Sequence, residues 1–251
     1  MAEAARDHGM ALICLTDHVD MDDDITGHVR PTWPHCWERT LTEWEAYRRD
    51  PVPGIEVRLG MELGELHHEP ATAEKAAADP ALDLVIGSLH NLRDTPDFYH
   101  LPYASEAECA EWNRRYLAEL REMAEAECFD VMGHIGYTAR YMHRQGFRGD
   151  ITPERYREEL TDIFRTLIQS GRGIEVNVSG LREGHTTYPT APALSLYREL
   201  GGEIVTVGSD AHTPASAGIG VKEGFELLES LGFRYAACYQ KRKPEFIRLN
   251  G

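Results

Sequence analysis

Short apolar runs in this chain repeatedly end on residues that can bind a metal. "ALICLT" leads into Asp17 and His18, "VRLGM" into Glu62, "LVIGSL" into His90 and "DVMG" into His134. "IEV" leads into Asn177, and "IVTVGS" into Asp210 and His212. Imidazole with carboxylate suits zinc, iron or manganese, whereas calcium and magnesium favour oxygen. Taken singly, each residue has a plainer use. A lone histidine behind a strand is ordinarily a hydrogen-bonded loop residue, Asp17 or Asp210 could cap a helix, and Glu62 could be half of a salt bridge. Several imidazoles and carboxylates gathered at one end of successive strands have few structural uses, so a metal site is expected. Arg140, in "GHIGYTARY", and Arg182, in "NVSGLR", lie on the same side of their strands. A planar guanidinium suits bidentate contact with phosphate. Spacing alone leaves a surface ion pair equally open for both arginines.

Elements that could hold these residues follow from alternation. The apolar runs are short, and helical patterns lie between them at roughly residues 39–49, 71–79, 105–127, 153–171, 190–200 and 218–231. The stretch 153–171 has Thr152 as its expected cap, Pro153 in the first turn and Gly171 as its stop. Alternating strands and helices imply an α/β fold with parallel strands and helices packed outside. In such folds the carboxyl ends of the strands share one face, where scattered residues meet. Six strands fit an open sheet or a barrel. The irregular stretch 19–40 is expected to be a lid or substrate loop. His8 falls on a first helix, His67–His68 in a polar loop, and His28, His35, His100, His143 and His185 in loops. All are expected to be solvated, with His100 and His185 as candidate substrate contacts.

With 251 residues the chain suits one domain, residues 1–251. Its 26 basic and 42 acidic side chains give a formal charge of −16, which argues against long nucleic acid as a partner. The five cysteines are scattered and never form CxxC, as in a reduced compartment. No membrane-length apolar run or secretory core is present, so a cytoplasmic location is expected.

"TDH", "GMELG", "GSLHN", "GHIGY", "EVNVSGLR" and "VTVGSDAHTP" occur in that order and together resemble the PHP phosphoesterases (polymerase and histidinol phosphatase), in particular the histidinol-phosphate phosphatase branch. The resemblance runs from about residue 3 through "GFRYAACYQKRKPEF". It implies a distorted (β/α)7 TIM-like barrel with up to three zinc, iron or manganese ions at its mouth. On that pattern Glu62 bridges two metals, His90 and His134 complete the second, Asp210 belongs to the first, and His18 and His212 to the third. Arg140 and Arg182 match arginines that grip the substrate phosphate, and Asn177 orders the loop carrying Arg182. Asp210 or His212 would protonate the leaving alkoxide. The family pattern opens with a strand bearing His-x-His, and here Met1 falls inside the helix that follows it. The expectation is therefore a barrel lacking its first strand, with fewer than three metals and impaired activity, and an upstream start favoured over a truncated gene. The implied activity is metal-dependent hydrolysis of a small phosphomonoester, L-histidinol phosphate in its strongest form. The alternatives are a related phosphoesterase acting on nucleotides or phosphotyrosine, and a non-catalytic metal-binding protein.

Overall fold

The computed structural model describes residues 1–249. All six expected strands form: β1 (Leu12–Asp20), β2 (Glu56–Gly64), β3 (Leu84–Ser88), β4 (Val131–Met132), β5 (Gly173–Asn177) and β6 (Val205–Gly208). They pair in parallel and in sequence order. A right-handed crossover that always steps to the next strand curls the sheet in one direction. The result is a half-barrel of the expected α/β class, with β1 and β6 as its two edges. A cavity of about 1100 Å³ lies between those edges, lined by Cys14 and Thr16 of β1 and by Thr206 and Gly208 of β6.

The helices are α1 (Ala2–Asp7), α2 (His35–Arg49), α3 (Pro70–Ala77), α4 (Glu106–Met123), α5 (Tyr137–Arg144), α6 (Pro153–Gln169), α7 (Ala191–Glu199) and α8 (Val221–Ser230). Apolar side chains of the strands, such as Met61, Leu63, Val85 and Val176, pack with Leu117, Leu120, Phe164 and Leu194 of the helices in one core. Pro153 opens α6 and Gly171, at φ 71°, follows its end, but Thr152 makes no side-chain capping bond. No helix among the described residues is long and apolar enough to cross a membrane.

Two expectations about the first strand need correction. The run "ALICLT" reads as a buried strand, yet residues 12–16 are only half-buried because β1 is an edge facing the cavity. That strand also continues through "DHVD" to Asp20, since pairing with β2 outweighs the polar side chains, and so the irregular segment begins later. Helix α5 was not anticipated. It spans only eight residues and starts from Gly136, whose φ of 107° suits glycine.

A C-terminal hairpin of β7 (Tyr235–Gln240) and β8 (Lys243–Arg248) was also not anticipated. It closes the amino end of the sheet. Arg242 pairs with Asp130, the Lys241 amide donates to Asp83 Oδ1 at 3.0 Å, and Arg58 Nη1 donates to the Tyr239 carbonyl at 2.8 Å. Asp83 and Asp130 stand just before β3 and β4, so the opposite end is left for the ligand-bearing residues.

Gly173 shows how tightly β5 and β6 approach. A Cβ there would sit 2.5 Å from the Ile204 carbonyl oxygen, a backbone atom that cannot swing aside. Gly173→Ala is expected to destabilise the protein by ~1–3 kcal/mol, read as a Tm lower by several degrees. An unchanged melting curve would show that the strand pair adjusts freely.

Candidate metal centre and phosphate-binding arginines

Strand register assembles the first part of the site. In the β1–β2 pair His18 lies opposite Glu62 and Asp20 opposite Gly64. A side chain at Gly64 would collide with Asp20 and come within 3.2 Å of His90 Nδ1, so its absence makes the room these groups occupy. Glu62 Oε1 is the focus. His134 Nε2 lies 2.9 Å from it and His90 Nε2 3.2 Å, and the Ser88 hydroxyl donates to it at 2.7 Å. His18 Nε2 is 3.5 Å from the other carboxylate oxygen. Glu62, His90 and His134 are all buried, and their ligating atoms lie within 4.8 Å of one another.

A second, overlapping donor set contains a residue the sequence analysis did not single out. Asp20 Oδ1 is 3.6 Å from both His18 Nδ1 and His90 Nδ1. The available signal was spacing, since residues two apart on a strand share a face. Asp17, on the other face, accepts from the Thr40 hydroxyl of α2 at 2.6 Å. His212 stands at the rim with its side chain 66% exposed, its Nδ1 3.4 Å from Asp210 Oδ1 and its ring 5.7 Å from that of His18.

Asp210 is joined to the arginines. Arg140 Nη2 donates to Asp210 Oδ2 and to Ser179 Oγ, each at 2.5 Å, and the guanidinium lies over the rings of Tyr137 and Tyr188. Ser179 donates to Asn177 Oδ1 at 2.6 Å, Asn177 donates to Glu175 Oε2 at 3.2 Å, and that oxygen also accepts the His134 amide at 3.0 Å. A buried hydrogen-bonded chain thus connects a metal-ligand candidate to an arginine. Arg182 donates to the Ser209 carbonyl and, at 3.2 Å, to that of Asp210, tying down the loop after β6. Asn177 also accepts the Ser179 amide at 3.0 Å, at the start of the 3-10 turn Ser179–Glu183 that carries Arg182.

The site is an electrostatic well for cations. Burial opposes charge on Glu62, but His18 and the bonds from His134 and His90 hold its carboxyl well below the usual range. Glu62 in turn raises the His18 imidazole to about 9, against burial. Burial opposes charge on His90 too, yet Asp20, Glu62 and Glu65 raise it well above normal. Burial, helped by the charge of His90, lowers His134 against the pull of Glu62. Burial pushes Glu175 up to about 8, reinforced by the charges of Asp210 and Glu62. Asp210 stays below its usual value because Arg140 outweighs burial. Protons and divalent ions compete for the same lone pairs, so imidazoles gathered around buried carboxylates are a fitting donor set for a metal.

His100 lines the cleft beside this site, with Nε2 3.7 Å from Asp24, while His185 packs with its ring tilted against that of His143, centroids 4.4 Å apart, outside that lining. The expectation that His67 and His68 are solvated fails, because the β2–α3 turn folds both inward, beneath α4.

Relatives share this arrangement of elements. The chain is 25% identical to a "Probable histidinol-phosphatase" of Clostridium acetobutylicum over 93% of its length and 87% of that protein. It is 24% identical to a histidinol-phosphatase of Lactococcus lactis, covering 94% of this chain and 86% of the relative. The crystal structure of the Lactococcus lactis histidinol phosphate phosphatase, complexed with zinc, L-histidinol and phosphate, superposes with a TM-score of 0.74 at 22% identity, covering 97% of this chain and 90% of that one. The PHP domain model matches residues 1–179. Sequence pattern, half-barrel and family model agree, and the chain belongs to the PHP domain family.

Proposed function

We propose that residues 1–251 act as a single metal-dependent phosphomonoesterase domain that hydrolyses L-histidinol phosphate in the cytoplasm. The observation that carries this is one mouth holding both a buried imidazole–carboxylate donor set and a buried arginine. Beside it lies a cleft of about 670 Å³ lined by Asp22, Asp24, Asp97, Tyr99, His100 and Tyr137. An acidic, aromatic cleft next to a cationic centre suits a substrate with phosphate at one end and a protonated amine and imidazole at the other.

At the mouth two donor sets that share His90 are available among the described residues, Glu62–His90–His134 and His18–Asp20–His90, which supports at most two zinc, iron or manganese ions there. Such ions would supply charge neutralisation for the phosphoryl group and activation of the attacking water. Phosphoryl transfer asks little covalent chemistry of the protein and much positioning. Arg140, held by Ser179 and Asp210, presents its fork to the phosphate oxygens, and Arg182 fixes the loop that carries Asp210. Asp210, ion-paired with Arg140, accepts the proton of the incoming water. His212, on the open rim, gives one to the departing alkoxide.

The test is phosphate release by the purified chain loaded in turn with zinc, manganese or iron. L-histidinol phosphate is compared with a mononucleotide, phosphotyrosine and p-nitrophenyl phosphate. Preferred turnover of L-histidinol phosphate is expected, with metal content reduced in His90→Ala. Preference for another ester would move the assignment to a different phosphoesterase, and no release with any metal would leave a non-catalytic metal-binding protein.

A further inference from the structure

A second cluster of metal-ligand type lies apart from the mouth. His67 and His68 are adjacent in the turn between β2 and α3, where neighbouring side chains would ordinarily diverge. Here their rings are 4.1 Å apart and both Nε2 atoms face one oxygen of Glu119 on α4, at 3.3 Å from His67 and 2.9 Å from His68. The His67 and His68 side chains are only 5% and 1% exposed. Behind His68, Asp22 Oδ2 lies 2.6 Å from Nδ1 and is itself held by Asn91 Nδ2 at 2.9 Å. Glu119 Oε1 accepts the Arg93 amide at 3.2 Å, and Arg93 Nη2 donates to the His67 carbonyl at 3.1 Å, which pins the turn to α4.

We infer that His67, His68 and Glu119 form a second divalent-cation site, of zinc type, that staples the β2–α3 turn to α4. Tetrahedral zinc with bonds of about 2.0–2.2 Å sets its donors roughly 3.3–3.5 Å apart, matching the 3.3 Å from His67 to Glu119 and asking the 2.9 Å pair of His68 and Glu119 to open by about half an ångström. A carboxylate on the far nitrogen of a ligating histidine is the usual outer partner in such sites, and Asp22 stands in that place. The cluster also repeats the build of the one at the mouth, where a single Glu62 oxygen lies 2.9 and 3.2 Å from two Nε2 atoms. In each cluster one histidine, His134 or His67, has a buried Nδ1 without a partner among the described residues. Charge balances as well. Asp22 and Glu119 offset one divalent ion when both imidazoles are neutral, whereas without it His68 must carry a second proton to satisfy both carboxylates. Loading therefore displaces the Nε2 proton of His68 to solvent and puts a metal–nitrogen bond in its place. The site does not depend on the phosphatase assignment.

The discriminating experiment removes the site at the mouth and counts what remains. Metal-free Glu62→Gln/His90→Ala protein, which breaks both donor sets at the mouth, is titrated with Zn²⁺ alone, with bound zinc read by elemental analysis, and with Co²⁺, read by visible absorption. One tightly held equivalent is expected, with tetrahedral cobalt bands, and Glu119→Gln in the same background is expected to abolish it. Should Glu119→Gln fail to fold, His67→Gln serves, since it leaves the hydrogen bonds of His68 to Asp22 and Glu119 in place. Absence of bound metal in the double variant would overturn the inference and leave a protonated His68 between two carboxylates. Retention of the equivalent after loss of Glu119 or His67 would overturn it too.

Discussion

Glu62→Gln is expected to lower kcat/KM for phosphate release by about a thousandfold, the equivalent of ~4 kcal/mol, and to shed most of the metal at the mouth. The change preserves shape and removes only charge. Oε1 faces His90 and His134, and Oε2 faces His18, so among the described residues the carboxylate is the one negative group shared by all three imidazoles. A neutral amide loses that focus and puts an N–H donor on one side, toward ring nitrogens that must act as ligands. Elemental analysis beside steady-state kinetics checks both halves of the expectation. Undiminished turnover with full metal content would remove Glu62 from the centre.

Arg140→Ala is expected to cost ten- to a hundredfold in kcat/KM, ~1.5–3 kcal/mol, with metal content retained. It is also expected to lower Tm, because Asp210 would be left buried near Glu62 and Glu175 without its cation. Arg140→Lys separates these effects. It keeps a charge for Asp210 but loses the planar fork, so stability should recover further than activity. Arg182 is half-exposed and spends its donors on the Ser209 and Asp210 carbonyls, so Arg182→Ala should cost roughly tenfold through a loosened loop. Kinetics like those of the wild type in both alanine variants would return the arginines to a structural role.

How much of this was legible beforehand depended on where each residue's partners lie. Glu62, His90 and His134 could be found because each directly follows an apolar run, and parallel strands bring such positions to one face. Asp20 was hidden because β1 continues past the point where its apolar character ends, held by pairing with β2. His67 and His68 looked like loop residues because what buries them, Glu119 and Asp22, comes from 51 and 46 residues away in sequence. The strand alternation announced an α/β sheet, but periodicity is local and does not say whether the two outermost strands meet. The hairpin of β7 and β8 escaped for a similar reason. Its strands make sense only against Asp83 and Asp130 at the sheet's amino end.

His134 and Asp210 hold their places with backbones on the left-handed side, at φ 21° and 49°. Conformations of this kind cost of order 1–3 kcal/mol each. Asp210 adds the repulsion of a neighbouring carboxylate, Glu62. Folding and function therefore pull these two positions in opposite directions. A library of variants screened only for heat resistance would favour glycine or asparagine there, and its most durable members would be the ones that had lost their chemistry. Stabilising this protein without disabling it means leaving both turns alone and working on the outer faces of the helices.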